Sequence, residues 1–289
     1  MKESTRQLFK VNRWRIDRSL HGYVYFTQID HYIKYMIRLA RKVRPRTRYL
    51  LDYMFSHYHC KVLTEEQAER LLTVNQDIVV DPERSSRVMP FRIAHDIVLS
   101  QPLNIVVLDC GCRLEQGIKD EPLDVCFVVG EPAASFVLEH GARHHARKIS
   151  PQEAIEIMQR ERKNGCIPTA WFKDVAGERF FAICNCRPGR CAALEAVQIT
   201  RTLQLEDPPH VAVSSGYIAQ ADRSLCNGCK SCVQACPFKA IALDDEDKAA
   251  VVFDLCMGCG LCVDTCKENA ISLARDERKA APLEIAELV

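Results

Sequence analysis

The first sixty residues mix bases with aromatic side chains (Trp14, Tyr23, Tyr25, Phe26, Tyr32, Tyr35, Tyr49, Tyr53, Phe55), and apolar positions such as Ile29, Ile33, Met36 and Ile37 recur at helical spacing. That pattern predicts amphipathic helices. Thr64 and Gln67 are spaced as a capping box, and Ala68, Leu71, Leu72 and Ile78 predict a short helix ending before Asp81-Pro82. Another helix is expected from near Pro90 to just before Pro102. The period then changes. Residues 103–108 form an apolar, β-branched run that reads as a buried strand and delivers Cys110 and Cys112 at its carboxyl end. Residues 125–129 read as a second strand, which carries Cys126. Ser150-Pro151-Gln152-Glu153 combines an N-cap, a first-turn proline and a capping-box acid, so a helix should run from there to a Gly165 C-cap. Trp171-Phe172 and residues 180–183 read as a hairpin around Val175-Ala176-Gly177 that leads into Cys184, Cys186 and Cys191.

Residues 202–216, with Pro208-Pro209 and Ser214-Ser215-Gly216, follow neither period and read as a linker. Beyond it the chain repeats itself. Cys226, Cys229, Cys232, Cys236 and Ile241 match Cys256, Cys259, Cys262, Cys266 and Ile271 at a constant offset of thirty residues, an internal duplication. The expected organisation is a basic aromatic helical region (1–62), an α/β cysteine-containing domain (63–201), a linker (202–215), a duplicated cysteine domain (216–275) and a tail (276–289).

Composition narrows the class. The chain has 289 residues, 47 % of them hydrophobic, enough to bury a core in one large or two ordinary domains. Nowhere do eighteen apolar residues run together, and the first thirty lack a charged start followed by an apolar stretch, so neither membrane spanning nor export is expected. Sixteen cysteines without a secretion signal, several at C-x2-C spacing, argue for metal ligation in a reducing cytoplasm rather than disulfides. The net charge of +1 conceals segregation, because residues 1–50 hold thirteen Lys and Arg against three acids.

Each iron of a cubane cluster takes one outside thiolate, and C-x2-C-x2-C wraps a loop so that three sulfurs reach three corners of one cluster. Zinc sites instead pair two C-x2-C units across a longer spacer. The stretches Cys-Asn-Gly-Cys-Lys-Ser-Cys-Val-Gln-Ala-Cys-Pro and Cys-Met-Gly-Cys-Gly-Leu-Cys-Val-Asp-Thr-Cys resemble the bacterial two-cluster ferredoxins. The resemblance implies a βαββαβ fold and two 4Fe-4S clusters, in which the cysteine after x3 ligates the other cluster. One cluster would take Cys226, Cys229, Cys232 and Cys266, the second Cys256, Cys259, Cys262 and Cys236. Val233, Ile241, Val263 and Ile271 would exclude water. Pro237 follows the first set, but Lys267 stands where the family usually has a second proline, which restores a backbone donor and adds positive charge near one cluster.

Upstream, Cys110-Gly-Cys112-Arg113, Cys126 and Cys184-Asn-Cys186-Arg-Pro-Gly-Arg-Cys191 place six thiols in three strand-end or loop segments. They are candidates for a third iron-sulfur cluster or a zinc ion, whereas isolated Cys60 and Cys166 read as small buried hydrophobes. With Glu153-Ala154, this arrangement is similar to anaerobic-type iron-sulfur proteins in which a C-x-C-R module, an "EA" helix and a C-N-C segment precede a two-cluster ferredoxin domain. His140, His144 and His145 read as a solvated basic turn and are left out of the site. Arg113, Arg187 and Arg190 are candidates to stabilise thiolates or an anionic cluster, or to form surface salt bridges.

The expected class is α+β, a mixed α/β cysteine-containing domain followed by a ferredoxin-like one. The expected function is electron transfer, as a carrier or redox-enzyme subunit with redox protein partners in anaerobic metabolism. The alternatives are an oxidoreductase with a third metal site fed by the two clusters, and a thiol or metal redox sensor. No dinucleotide fingerprint, Walker loop or nucleophile elbow is present. The basic amino terminus suits an acidic partner surface or an anionic membrane surface; nucleic acid is not expected. Catalysis predicts a substrate-sized pocket beside the six thiols, sensing an exposed low-pKa pair, and simple transfer neither.

Overall fold

Local capping sets several boundaries. A computed structural model describes residues 1–55, 57–91, 97–203 and 211–288. The basic aromatic region folds as α1 (Glu3–Val11), α2 (Ile16–Thr27), α3 (Ile29–Ala40) and α4 (Tyr49–Phe55), followed by β1 (Tyr58–Val62). Thr64 and Gln67 exchange side chain to backbone hydrogen bonds of 3.2 and 3.0 Å to open α5 (Glu65–Thr73). The expectation that this helix reaches Ile78 is corrected, since Ile78 lies in β2 (Ile78–Val79). The helix expected from Pro90 is also corrected. Asp81 caps Arg84 N at 3.0 Å, Pro82 takes the first helical position, and α6 therefore runs Pro82–Val88. Residues 92–96 of that expectation lie outside the described residues, and strand already begins at Val98.

The central strands then follow: β3 (Val98–Asp109), β4 (Asp124–Glu131), β5 (Arg147–Ile149), β6 (Ile167–Lys173) and β7 (Arg179–Cys186), interleaved with α7 (Gly111–Glu115), α8 (Ala133–His140) and α9 (Pro151–Lys163). Ser150 accepts from Glu153 N at 3.1 Å to start α9, and Gly165 at φ +79° ends it. After α10 (Ala192–Thr202), β8 (Ala212–Val213) pairs parallel to β1. The segment expected to be a linker therefore begins in a helix and supplies a strand. Its two-residue pairing is too short to leave a periodic signature.

The strands form one sheet in the order β2-β3-β4-β7-β6-β1-β8, with β5 alongside β3. Side chains alternate between its faces. Ile105, Val107, Phe127 and Ile183 join a core with Leu71, Leu72, Ile157 and Met158 from α5 and α9. Val106, Leu108, Val128 and Ala182 point the other way, into a core shared with Tyr25, Phe26, Phe136 and Leu194. That second core continues without a break into the carboxyl-terminal module.

The module runs β9 (Tyr217–Ala221), α11 (Ser231–Ala235), β10 (Ile241–Leu243), β11 (Ala249–Val251), α12 (Leu261–Thr265) and β12 (Ile271–Arg275). β9 pairs with β12 and β10 with β11, both antiparallel. It is keyed to the rest of the chain by Ser215, whose hydroxyl donates to Gly258 O at 2.7 Å while its carbonyl accepts from Gln67 at 3.1 Å. Arg162 of α9 pairs with Asp264 at 2.5 Å. The tail is docked too: Ala281 N donates to Arg87 O at 2.9 Å, and Leu283 is buried before α13 (Ile285–Leu288).

Lys61 of β1 is fully buried, and its ammonium donates to Val88 O at 3.1 Å and Ser214 O at 2.8 Å, with no acid in contact among the described residues. Burial pulls its pKa down from 10.5 to about 7. Between those values the unfolded chain binds a proton that the folded chain does not, so Lys61 makes stability rise with pH across that window. Relative to Lys61→Met, the wild-type chain is expected to gain up to about 1.4 kcal/mol per pH unit from pH 7 to 10. Thermal midpoints of both across that range check this; a constant difference would mean that Lys61 stays charged in the fold.

Candidate metal centres

The duplicated cysteine runs surround two small cavities. One, about 20 Å³, is lined by Cys226, Cys229 and Cys232 together with Cys266 from the second repeat. The other, also about 20 Å³, is lined by Cys256, Cys259 and Cys262 together with Cys236 from the first. Each cavity thus gathers three sulfurs from one half and one from the other, because α11 and α12 pack together and each carries its last cysteine past the neighbouring loop.

Backbone amides also converge on the sulfurs, two of them across the repeats and two within a repeat. Ala249 N reaches Cys226 Sγ at 3.4 Å and Ala219 N reaches Cys256 Sγ at 3.5 Å, while Ala240 N and Ala270 N reach Cys236 and Cys266 Sγ, both at 3.3 Å. Donors aimed at sulfur favour thiolate over thiol. Close approach explains Gly258: a Cβ there would stand 2.2 Å from Tyr217 O. Burial pushes the free Cys259 thiol up to about 11 and Cys262 up to about 12. Metal ligation would have to supply the free energy that makes these sulfurs anionic. The donor set fits iron-sulfur ligation. The two cavities differ in exposure, since Cys229 is exposed whereas Cys256, Cys259 and Cys262 are all buried.

All six upstream thiols line a third cavity, of about 80 Å³. Sheet register brings them there. Cys126 of β4 sits directly opposite Cys184 of β7, and Cys186, two residues on, shares that face. β3 ends at Asp109, Cys110 follows as the N-cap of α7, α7 carries Cys112, and Cys191 is the N-cap of α10. The sulfurs form a chain. Cys110 is held well below the ordinary thiol range by hydrogen bonds from Cys112 and Cys126, and the same contacts raise those two donors. Cys126 also contacts Cys184, Cys112 contacts Cys191, and Cys191 Sγ lies 3.0 Å from Cys186 Sγ. Ala192 N points at Cys112 Sγ at 3.5 Å, and the Thr169 hydroxyl lies 3.2 Å from Cys186 Sγ. None of the six is exposed. Among the described residues, no three His, Cys, Asp or Glu side chains converge closely enough to hold a single ion, so in all three places the thiols ring a volume rather than a point.

The amino-terminal helices roof this cavity. Tyr25 and Phe26 of α2 and Ile29 and Ile33 of α3 face it, with Tyr58 and Trp171 on the sheet side. Gly111 admits α3 closely: a Cβ there would lie 3.1 Å from Ile33. Hydropathy alone had set these aromatics only on helix faces, and the contact order that turns Tyr25 and Phe26 inward has no local signature. Trp14, Tyr35, Tyr49 and Tyr53 do remain exposed. Behind the roof the buried Lys173 ammonium stands 5.0, 5.3 and 5.1 Å from the ring centres of Tyr25, Tyr32 and Tyr58, and 3.5 Å from Asp174. Burial lowers its pKa, against the pull of Asp174.

Of the flanking arginines, Arg113 lines the cavity and forms a buried pair with Glu161 of α9 at 2.6 Å, with Cys166 Sγ 3.6 Å away. Burial works against its charge, yet the Glu161 carboxylate raises its pKa. Arg187 and Arg190 pair with Glu121 at 2.7 and 3.3 Å. The histidine turn is corrected in part: His145 is exposed, but His144 is buried against Asp30 at 3.1 Å, because α3 packs over the turn. Removing one partner of a buried ion pair leaves the other uncompensated, at about 3–5 kcal/mol. Glu161→Gln is expected to lose that much in denaturant unfolding, whereas a loss below about 1 kcal/mol would mean that Glu121, 3.8 Å from Arg113, takes over.

No helix among the described residues is long and apolar enough to cross a membrane. No curated protein matches the chain significantly. The model of a family described as a 4Fe-4S dicluster domain does match, at residues 219–273, the stretch that holds both small cavities, and the carboxyl-terminal region is accordingly ferredoxin-type, binding at least one iron-sulfur cluster.

Proposed function

We propose that the chain is an electron-transfer protein whose carboxyl-terminal module holds two 4Fe-4S clusters, one on Cys226, Cys229, Cys232 and Cys266, the other on Cys256, Cys259, Cys262 and Cys236. The observation that carries this reading is the crossed gathering of sulfurs, three from one repeat and one from the other, around each of two matched cavities. Such clusters supply one-electron chemistry when bound. The residues do the rest. Four alanine amides stabilise negative charge on sulfur, and Ile241 and Ile271 keep water from the cavities. The exposed Cys229 marks the face where an electron would enter or leave, and the buried set faces the rest of the chain.

Redox protein partners and a cytoplasmic setting belong to this reading. An oxidoreductase with its reaction site in the amino-terminal domain is a second reading, favoured by the 80 Å³ cavity beside the six thiols. The sensor reading has less support, since it calls for an exposed thiol pair and these six are buried or half-buried.

Two outcomes are expected from anaerobically purified protein. Cys236→Ser should lose the same electron paramagnetic resonance signal as Cys259→Ser, and Cys266→Ser the same as Cys229→Ser, each with a loss of about four irons per chain. Loss shared instead between Cys236→Ser and its sequence neighbour Cys229→Ser would reject the crossed ligand sets. In air, the signal assigned through Cys229 should decay first, because oxidant and water reach the exposed sulfur; equal decay would show that exposure does not set lability.

A further inference from the structure

The two small cavities calibrate the large one. Each is rimmed by four cysteines, approached by backbone amides aimed at sulfur, closed by apolar side chains, and about 20 Å³ in volume. The amino-terminal cavity has the same construction with more of everything: six cysteines, about 80 Å³, an amide on Cys112, a hydroxyl at Cys186, and a roof of Tyr25, Phe26 and Ile33. Six thiols packed as inert hydrophobes would not be expected to face one void, since protein interiors close such voids. Cys60 behaves as that ordinary case, buried and away from the cavity wall, and Cys166, also off that wall, lies against the Arg113–Glu161 pair.

We propose that this cavity holds a third iron-sulfur cluster, ligated by Cys126 and Cys184, which face each other across the sheet, and by at least two of Cys110, Cys112, Cys186 and Cys191. Ligation forms an iron–sulfur bond at each cysteine as its thiol proton leaves to solvent. A polynuclear cluster suits the arrangement better than zinc. A cubane takes one sulfur at each corner and needs sulfurs spaced around a volume, whereas zinc needs four converging on one ion. The sulfur chain from Cys184 round to Cys186 is of the first kind. Tyr25 and Tyr58, whose hydroxyls are 3.1 Å apart, also line this cavity, so its wall carries a protic pair beside the thiols.

The site is also placed to exchange electrons with the carboxyl-terminal module. Cys191 caps α10, and about 10 Å along that helix Gln198 meets the carbonyl of Pro237, the residue after Cys236. Arg201, one turn on, donates to Phe238 O at 2.8 Å. An electron leaving the cluster at Cys236 would reduce the third cluster with no other reactant consumed. This route, though not the cluster itself, rests on the two-cluster reading.

The test is iron, acid-labile sulfide and zinc per chain in the full-length protein, anaerobically reconstituted with iron and sulfide, beside Cys126→Ser/Cys184→Ser and the control Cys166→Ser. About twelve irons are expected in the wild type and the control, and about eight in the double variant with the carboxyl-terminal resonance signals intact, which also shows that it folds. About eight irons in all three, or one zinc per chain lost in the double variant, would overturn the proposal. Cys229→Ser/Cys259→Ser separates the two readings. Iron that survives it but not Cys126→Ser/Cys184→Ser supports the third cluster whatever the state of the other two. A chain whose every iron depends on Cys229 and Cys259 overturns the third cluster and leaves the two-cluster reading in place.

Discussion

The architecture depends on the two-residue side-chain period of the central sheet, combined with a register that sets Cys126 opposite Cys184. A slip of one residue in β4 or β7 would turn a cysteine into the α5–α9 core and Phe127 or Ile183 out of it, so the burial of those apolar side chains also holds the thiols in place. The same alternation sends Val106, Leu108 and Val128 to the face roofed by α2 and α3. Hydrophobic burial on one face thereby orients the sulfur chemistry on the other.

The duplicated module obeys a different constraint. Its strands are three to five residues long and pair only two at a time, too little sheet to stand alone, and its small core is assembled largely around cysteines. Crossing the fourth sulfur between repeats ties the halves to each other through whatever the cavities bind. Ser215, Gln67, Arg162 and Arg201 then fix the module against the larger domain. A freely swinging ferredoxin unit would need none of those contacts.

The amino-terminal region illustrates how a charge pattern can mislead about where aromatics go. Its bases are mostly on the surface, as the amphipathic pattern implies, while Tyr25, Phe26 and Tyr58 close over the sulfurs and Lys173 is enclosed by tyrosine rings. A lysine in such a place costs desolvation that the ring quadrupoles and Asp174 offset. Arg113, next to Cys112 in the chain, lines the cavity and favours the Cys110 thiolate, while its guanidinium is paired with Glu161 behind it.

Strong local signals were legible without the fold. The capping residues Thr64 and Ser150, the strands bearing Cys110 and Cys126, the hairpin before Cys184 and the thirty-residue repeat all depend on neighbours within a few residues or on exact spacing, and that information is written in the chain. The helix misplaced at Pro90 and the strand hidden in the presumed linker depended on partners far away, β2 and β1 respectively. So did the meeting of six thiols from three segments in one cavity, the roof that the first helices lay over it, and the docking of the tail at Leu283. The sequence by itself determined which residues can bind metal and how the repeated halves are spaced. Only the tertiary structure decided which of them face a common space, because facing depends on strand register and helix packing between segments far apart in the chain, and no local pattern encodes either.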